Sequence, residues 1–191
     1  MKKQDSYSCF AHLLEEAVEG TDFLIHSVDR SHSGVILIAP HGGKIEPGTD
    51  VIAKKIALND FSFYAFNGIR PSKDRNLHIT SHNFDEPRCI ALVKRHTHVI
   101  AIHGCSDKVD AAYLGGRDQN LKKLIHDKLR QEGIKSVLDG DKFPGENKKN
   151  ICNRGTTGAG VQIELTLSLR QSNEADRVVN AVRNAINKIL K

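Results

Sequence analysis

Gly34-Val35-Ile36-Leu37-Ile38-Ala39-Pro40-His41-Gly42-Gly43-Lys44-Ile45-Glu46 is the stretch that decides how this chain folds. Its unbroken apolar, partly β-branched run reads as a strand buried on both faces, as in the parallel sheets of α/β proteins. The run stops at Pro40 and then delivers His41, two glycines and, five residues after the histidine, Glu46. Such a strand hands a potential metal ligand to the edge of the sheet, and the glycine turn brings a carboxylate back beside it. Histidine nitrogen and carboxylate oxygen are ordinary zinc ligands at about 2.0–2.2 Å, and a catalytic zinc keeps three protein ligands and one open position. The rest of the chain must supply a third ligand and a base.

Outward from this strand (34–39), apolar runs predict further strands at 23–28, 61–66, 77–80, 89–93, 99–103, 136–138 and 161–167. Helices are predicted at 50–58, where Asp50 can cap free amides, at 121–132, ended by Gly133, and at 174–190. The last of these lays Val178, Val182, Ile186 and Ile189 along one face. Strands alternating with helices predict an α/β fold with a mixed, mainly parallel sheet flanked by helices, as a single catalytic domain over residues 1–191. Residues 142–160, rich in Gly, Asn, Lys and Thr, read as a long loop, and long loops in compact domains tend to be functional.

Composition narrows the partners. Twenty-eight Lys and Arg against 23 Asp and Glu leave a net charge of +5, which favours an acidic partner. Aromatics are only 5% with no Trp, and the cations are dispersed, so a nucleic-acid reader built on stacking rings is not expected. The polar N-terminus shows no signal peptide and no apolar run is long enough to span a membrane, so a soluble protein made in the cytoplasm is expected. Cys9, Cys89, Cys105 and Cys152 are scattered, which suits buried free thiols better than a four-thiolate metal site.

Ligands of open α/β sheets gather at the carboxyl ends of strands. His41 ends one predicted strand, His103 ends another and is followed by Gly104, and Glu164 stands inside the apolar strand Ile163-Glu164-Leu165. A carboxylate in that setting is costly to bury unless it is paired or its raised pKa is useful. Zinc on His41, Glu46 and His103, with Glu164 as general base and then acid toward a zinc-held water, would make the chain an amide hydrolase. A lone His before Gly is more often structural, and it is the convergence of three strands that gives the set its weight. His12, His26, His32, His78, His82, His96, His98 and His126 are read as structural or exposed.

Several motifs in fixed order resemble one family. They are Pro40-His41-Gly42-Gly43-x-Ile45-Glu46-Pro47-Gly48-Thr49, Phe84-Asp85-Glu86-Pro87, His103-Gly104, Tyr113-Leu114-Gly115-Gly116-Arg117, and Asn153-Arg154-Gly155 leading into Gly160-Val161-Gln162-Ile163-Glu164-Leu165. Together they look like the phage-type poly-γ-glutamate hydrolases, over roughly residues 20–190. The resemblance implies a zinc carboxypeptidase-like fold and endo-acting, zinc-dependent hydrolysis of γ-glutamyl amide bonds in the anionic polymer poly-γ-glutamate. It implies one Zn²⁺ per chain on His41, Glu46 and His103, with Glu164 catalytic. Substrate carboxylates would meet Asn153-Arg154, similar to an adjacent Asn-Arg pair in zinc carboxypeptidases, and Arg117, with Lys44 and Arg75 as weaker candidates. A monomer without nucleic-acid or membrane partners, released on lysis to reach the external polymer, completes this expectation. The same fold and metal would also suit a deacylase of small N-acyl amino acids. Asp85 is open to two readings, as an outer carboxylate orienting a ligand histidine or as part of a plain turn ended by Pro87.

Overall fold

The computed structural model describes residues 5–71, 74–138 and 140–191. Seven strands form one sheet in the order β1-β3-β2-β4-β7-β5-β6. They are β1 (Phe23–Val28), β2 (Val35–Gly43), β3 (Ser62–Gly68), β4 (His98–Cys105), β5 (Ala112–Gly116), β6 (Ser136–Leu138) and β7 (Val161–Thr166). β3–β2, β2–β4, β4–β7 and β5–β6 are parallel, while β1 and β5 run antiparallel to β3 and β7. The sheet is therefore mixed and mainly parallel, as the sequence implies.

Residues 35–39 of β2 are entirely buried because the strand is central and covered on both sides. On one side lie α2 (Thr49–Ala57), α4 (Gln119–Gln131) and α6 (Glu174–Ile189). Ile52, Ile56, Leu121, Ile125, Val178 and Val182 from these helices pack with Val35, Leu37, Ile100 and Ile163. The other side is closed by α1 (Phe10–Leu13), α3 (Pro87–Val93) and the loop before α3, whose Phe10, Phe84 and Leu92 cover Ile36, Ile38, Phe66 and Ala101. A further helix, α5 (Leu167–Gln171), leads from β7 into α6. Leu37→Ala would open a cavity in the larger core and is expected to cost about 2–5 kcal/mol in urea unfolding. A loss below about 1 kcal/mol would mean that the helix layer collapses onto the sheet.

Three elements differ from the sequence expectation. Residues 89–93 are helical rather than extended: Pro87 occupies the first turn and the Glu86 carboxylate accepts from Cys89 N at 2.8 Å, a regular N-terminal cap. Residues 77–80 form no strand, following a short 3-10 turn at Asp74–Leu77. β5, which carries the Tyr113-Leu114-Gly115-Gly116 motif, is a strand beyond those the apolar runs predict. Asp50 lies in the first turn of α2, whose cap is Gly48 at φ +92°. All four cysteines are free thiols, three of them buried. Among the described residues no helix is long and apolar enough to cross a membrane.

Candidate metal centre and active site

Alternation along the strands aims the site. In β4, Ile100 and Ile102 face the helix layer while Val99 and Ala101 face the α3 side, so His103 joins the latter. In β7, Val161, Ile163 and Leu165 face the helices, which leaves Gln162 and Glu164 on the same side as His103. His103 and Glu164 are register partners on adjacent strands.

β2 needs a correction to join them. Val35, Leu37 and Ala39 face the helices, so strict alternation would aim His41 there too. Between Ala39, paired with Ala65, and Gly42, paired with Asn67, β2 holds one more residue than β3. This bulge at Pro40-His41 reverses the alternation. Gly42 then faces α2, where a Cβ would stand 2.0 Å from Asn67 Oδ1, and His41 turns the other way, its ring 3.9 Å from that of His78 and 6.3 Å from Phe84. Gly43, at φ +64°, starts the turn that returns Glu46, whose N–H donates to the His41 carbonyl at 2.9 Å.

Three potential ligand atoms converge. Glu46 Oε2 lies 3.4 Å from His41 Nδ1 and 3.7 Å from His103 Nδ1, and the two Nδ1 atoms are 3.2 Å apart. Atoms about 2.0–2.2 Å from a tetrahedral zinc stand about 3.3–3.6 Å from one another, and the observed 3.2, 3.4 and 3.7 Å lie within about 0.1 Å of that window, close enough for a single ion. The hydrogen bond from His41 Nε2 to the Ile79 carbonyl, 2.8 Å, places that ring's proton on Nε2 and leaves the Nδ1 lone pair facing the cluster. Gly104 N–H holds Glu46 Oε2 at 2.8 Å, and His103 Nε2 lies 3.4 Å from Ser81 Oγ.

Electrostatics agree with the geometry. Burial, with His78 adding to it, pushes His41 down to about 4, so it is neutral, the form that binds metal. His103 is displaced upward: burial opposes its charge, but Glu46 and Glu164 outweigh burial. Burial alone would raise Glu46, but His41 and His103 hold it well below the usual carboxylate range. One proton or one cation satisfies this buried set. Burial pushes Glu164 up to about 7, a value suited to proton transfer near neutrality.

The predicted substrate residues are placed differently. Asn153 is used up: its Oδ1 accepts from Gly160 N and Arg117 N, and its Nδ2 donates to the Gly145 and Asn147 carbonyls. With both lone pairs and both protons engaged, it braces the long loop and has no group left for a substrate. Arg154 donates through Nε to the Lys149 carbonyl and through Nη2 to that of His82, so part of its fork remains available. Arg117 is exposed and follows Gly116, the partner of Val161, at the end of β7 away from the metal-facing cluster. Lys44 donates to the Ile69 and Arg70 carbonyls, and the Arg75 side chain falls outside the described residues. Among the described residues Asp85 meets no histidine; it accepts from Phe10 N at 2.6 Å and ties down α1.

Three residues near the cluster had no sequence signal. His78, read as structural, turns Nε2 to within 3.8 Å of Glu46 Oε1, and one ligand atom each from His41, Glu46 and His78 falls within 4.8 Å. Asp5 holds the far nitrogen of His78. Arg170, 9% exposed, donates to the Leu165 and Pro47 carbonyls and lies over Gly104, where a Cβ would stand 2.5 Å from its Cζ. A groove of about 480 Å³ lined by Asp5, Lys44, Glu46, His78, Gly104 and Arg170 opens onto this cluster.

Known proteins share this arrangement of elements. A bacteriophage poly-gamma-glutamate hydrolase superposes with a TM-score of 0.93 at 28% identity, over 97% of this chain and 98% of its own. A zinc-free apo form of YndL gives a TM-score of 0.90 at 27% identity, over 97% and 99% of the two chains. The UPF0714 protein YmaC of Bacillus subtilis (strain 168) is 34% identical over 170 residues, 88% of this chain and 72% of its own length. The profile of the poly-gamma-glutamate hydrolase family matches residues 7–184. With the whole sheet, the His41–Glu46–His103 cluster and Glu164 inside that match, the chain belongs to the poly-gamma-glutamate hydrolase family, a family of enzymes.

Proposed function

We propose that the chain is a zinc-dependent, endo-acting hydrolase of γ-glutamyl amide bonds in poly-γ-glutamate, with His41, Glu46 and His103 holding one zinc and Glu164 moving the proton. The observation that carries this reading is three ligand atoms at tetrahedral spacing beside a buried carboxyl near pKa 7 on the next strand. Zinc bound there would supply a Lewis acid that acidifies water and polarises the amide carbonyl. Glu164 takes the proton from the attacking water and hands it to the leaving nitrogen, so no free amide anion forms. Gly104 N–H fixes Glu46, and the Ile79 carbonyl fixes the His41 ring, so both would meet an ion pre-aligned.

The polymer carries one free carboxylate per residue, which suits a protein of net charge +5. Arg154, through the part of its fork not bound to backbone, and Arg117 further away are the proposed contacts to these carboxylates.

Viscometry of poly-γ-glutamate, with product sizing, tests the reading. Endo-cleavage by the zinc-loaded enzyme collapses viscosity while few new ends have formed. Release of ends with viscosity preserved would make the enzyme exo-acting. No cleavage at all would sink the polymer assignment and turn attention to small N-acyl amino acids.

A further inference from the structure

The groove beside the candidate metal centre already holds a carboxylate, and it belongs to the chain itself. Asp5 Oδ2 accepts the Thr80 N–H at 2.6 Å, and Asp5 Oδ1 meets His78 Nδ1 at 2.7 Å. The partners are 75 and 73 residues away in sequence, so a tertiary contact, not a local turn, makes this grip. The His78 ring lies against that of His41, with centroids 3.9 Å apart and planes tilted by 32°, and its other nitrogen points toward Glu46 Oε1. A carboxylate-binding pair thus lies one ring away from the His41–Glu46–His103 cluster, and Asp5 and His78 line the groove that opens there. Burial alone would raise the Asp5 carboxyl, but the bonds from His78 and Thr80 hold it at about 2, so the pair binds the anion.

We propose that Thr80 N–H and His78 Nδ1 form a subsite for a free carboxylate of the substrate, and that Asp5 fills it as a tethered competitor. This rests on the polymer reading above. In a γ-linked glutamate chain the free α-carboxylate sits on the carbon bonded to the scissile nitrogen. An amide presented to the metal-facing cluster therefore brings a carboxylate within a few bonds of the break. The substrate carboxylate and Asp5 are the same chemical group, directed at the same two donors from the same groove. Substrate must displace Asp5 before that carboxylate is seated, and the subsite is kept pre-shaped until it does.

Steady-state kinetics of zinc-loaded Asp5→Asn and Asp5→Ala on poly-γ-glutamate test this, beside calorimetry with glutarate on Glu164→Gln with and without Asp5→Ala. Removing a tethered ligand that acts at millimolar effective concentration is expected to lower KM about three- to tenfold, with kcat within about twofold. Glutarate should bind more tightly by a similar factor once Asp5 is gone. A fall in kcat and in zinc affinity with KM unchanged would overturn the proposal and make Asp5 a positioning residue for His78. Unchanged KM together with unchanged glutarate affinity would equally overturn it. Failure of the wild type to cut the polymer would defeat the polymer reading alone, because glutarate affinity reads the subsite without any cleavage.

Discussion

Glu164→Gln is expected to lower kcat by about 10²–10⁴-fold, the range for removing a positioned general acid–base, while zinc content and Tm stay those of the wild type. The change preserves shape, and the nearest described side-chain partner of the carboxylate is Gln162 Nε2 at 3.5 Å, too long to hold much energy. The fold therefore has little to lose. pH supplies an independent readout with a defined sign. The base works when deprotonated, and burial raises Glu164 from 4.5 to about 7, so the wild-type rate should climb as pH rises through this interval. A dication on the neighbouring ligands favours the carboxylate, so the rising limb falls below 7 in the loaded enzyme. Residual activity of the glutamine variant should lack that limb. A variant within about tenfold of wild type at full zinc occupancy would remove Glu164 from the chemistry.

Zinc itself should show up in stability. An ion that binds only the folded chain stabilises it by about 2.7 kcal/mol at a hundred times its Kd, which for a domain of this size raises Tm by about 5–11 °C. His103→Ala is expected to abolish that rise. The comparison is made with and without zinc in each variant, so the cost of losing a buried ring drops out. His103 is the informative choice because, among the described residues, its Nδ1 meets only His41 and Glu46 and its Nε2 has Ser81 Oγ at a long 3.4 Å, whereas His41 is held by the Ile79 carbonyl at 2.8 Å and lies against the His78 ring. A His103→Ala protein that keeps the whole zinc-dependent shift would mean that His78 completes the site in its place.

What could be read from sequence follows from how local each signal is. The central strands and long helices were legible because their apolar spacing reports burial directly: Val35–Gly43 lies against layers on both faces, and Glu174–Ile189 against one. The 89–93 run was ambiguous because five apolar residues fit a strand or a helical turn equally. The Glu86-Pro87 pair before it was the deciding cap signal. His41, Glu46, His103 and Glu164 could be proposed because strand ends and a carboxylate inside an apolar strand mark themselves. The structure brings His41, Glu46 and His103 together and sets Glu164 on the adjoining strand. Asp5, His78 and Arg170 left no such trace, since each reaches the groove from irregular chain or a five-residue helix through contacts made only in the folded state. Asn153 shows the converse. Its motif was visible, but its amide closes the loop around Gly145, Asn147 and Gly160.

The extra residue in β2 gives this site an arithmetic as well as a chemistry. Whether His41 meets Glu46 and His103, or is buried among the helices, depends on a parity: three residue steps from Ala39 to Gly42 against two from Ala65 to Asn67. No side-chain scan would reveal that dependence, because the quantity that matters is a length and every position can be replaced while it is kept. Transplanting the site onto a regular strand with all its residues intact would still point the first histidine at the wrong layer. The inheritance that matters at Pro40 is thus a frame, set by counting along the backbone, within which the metal-facing residues acquire their meaning.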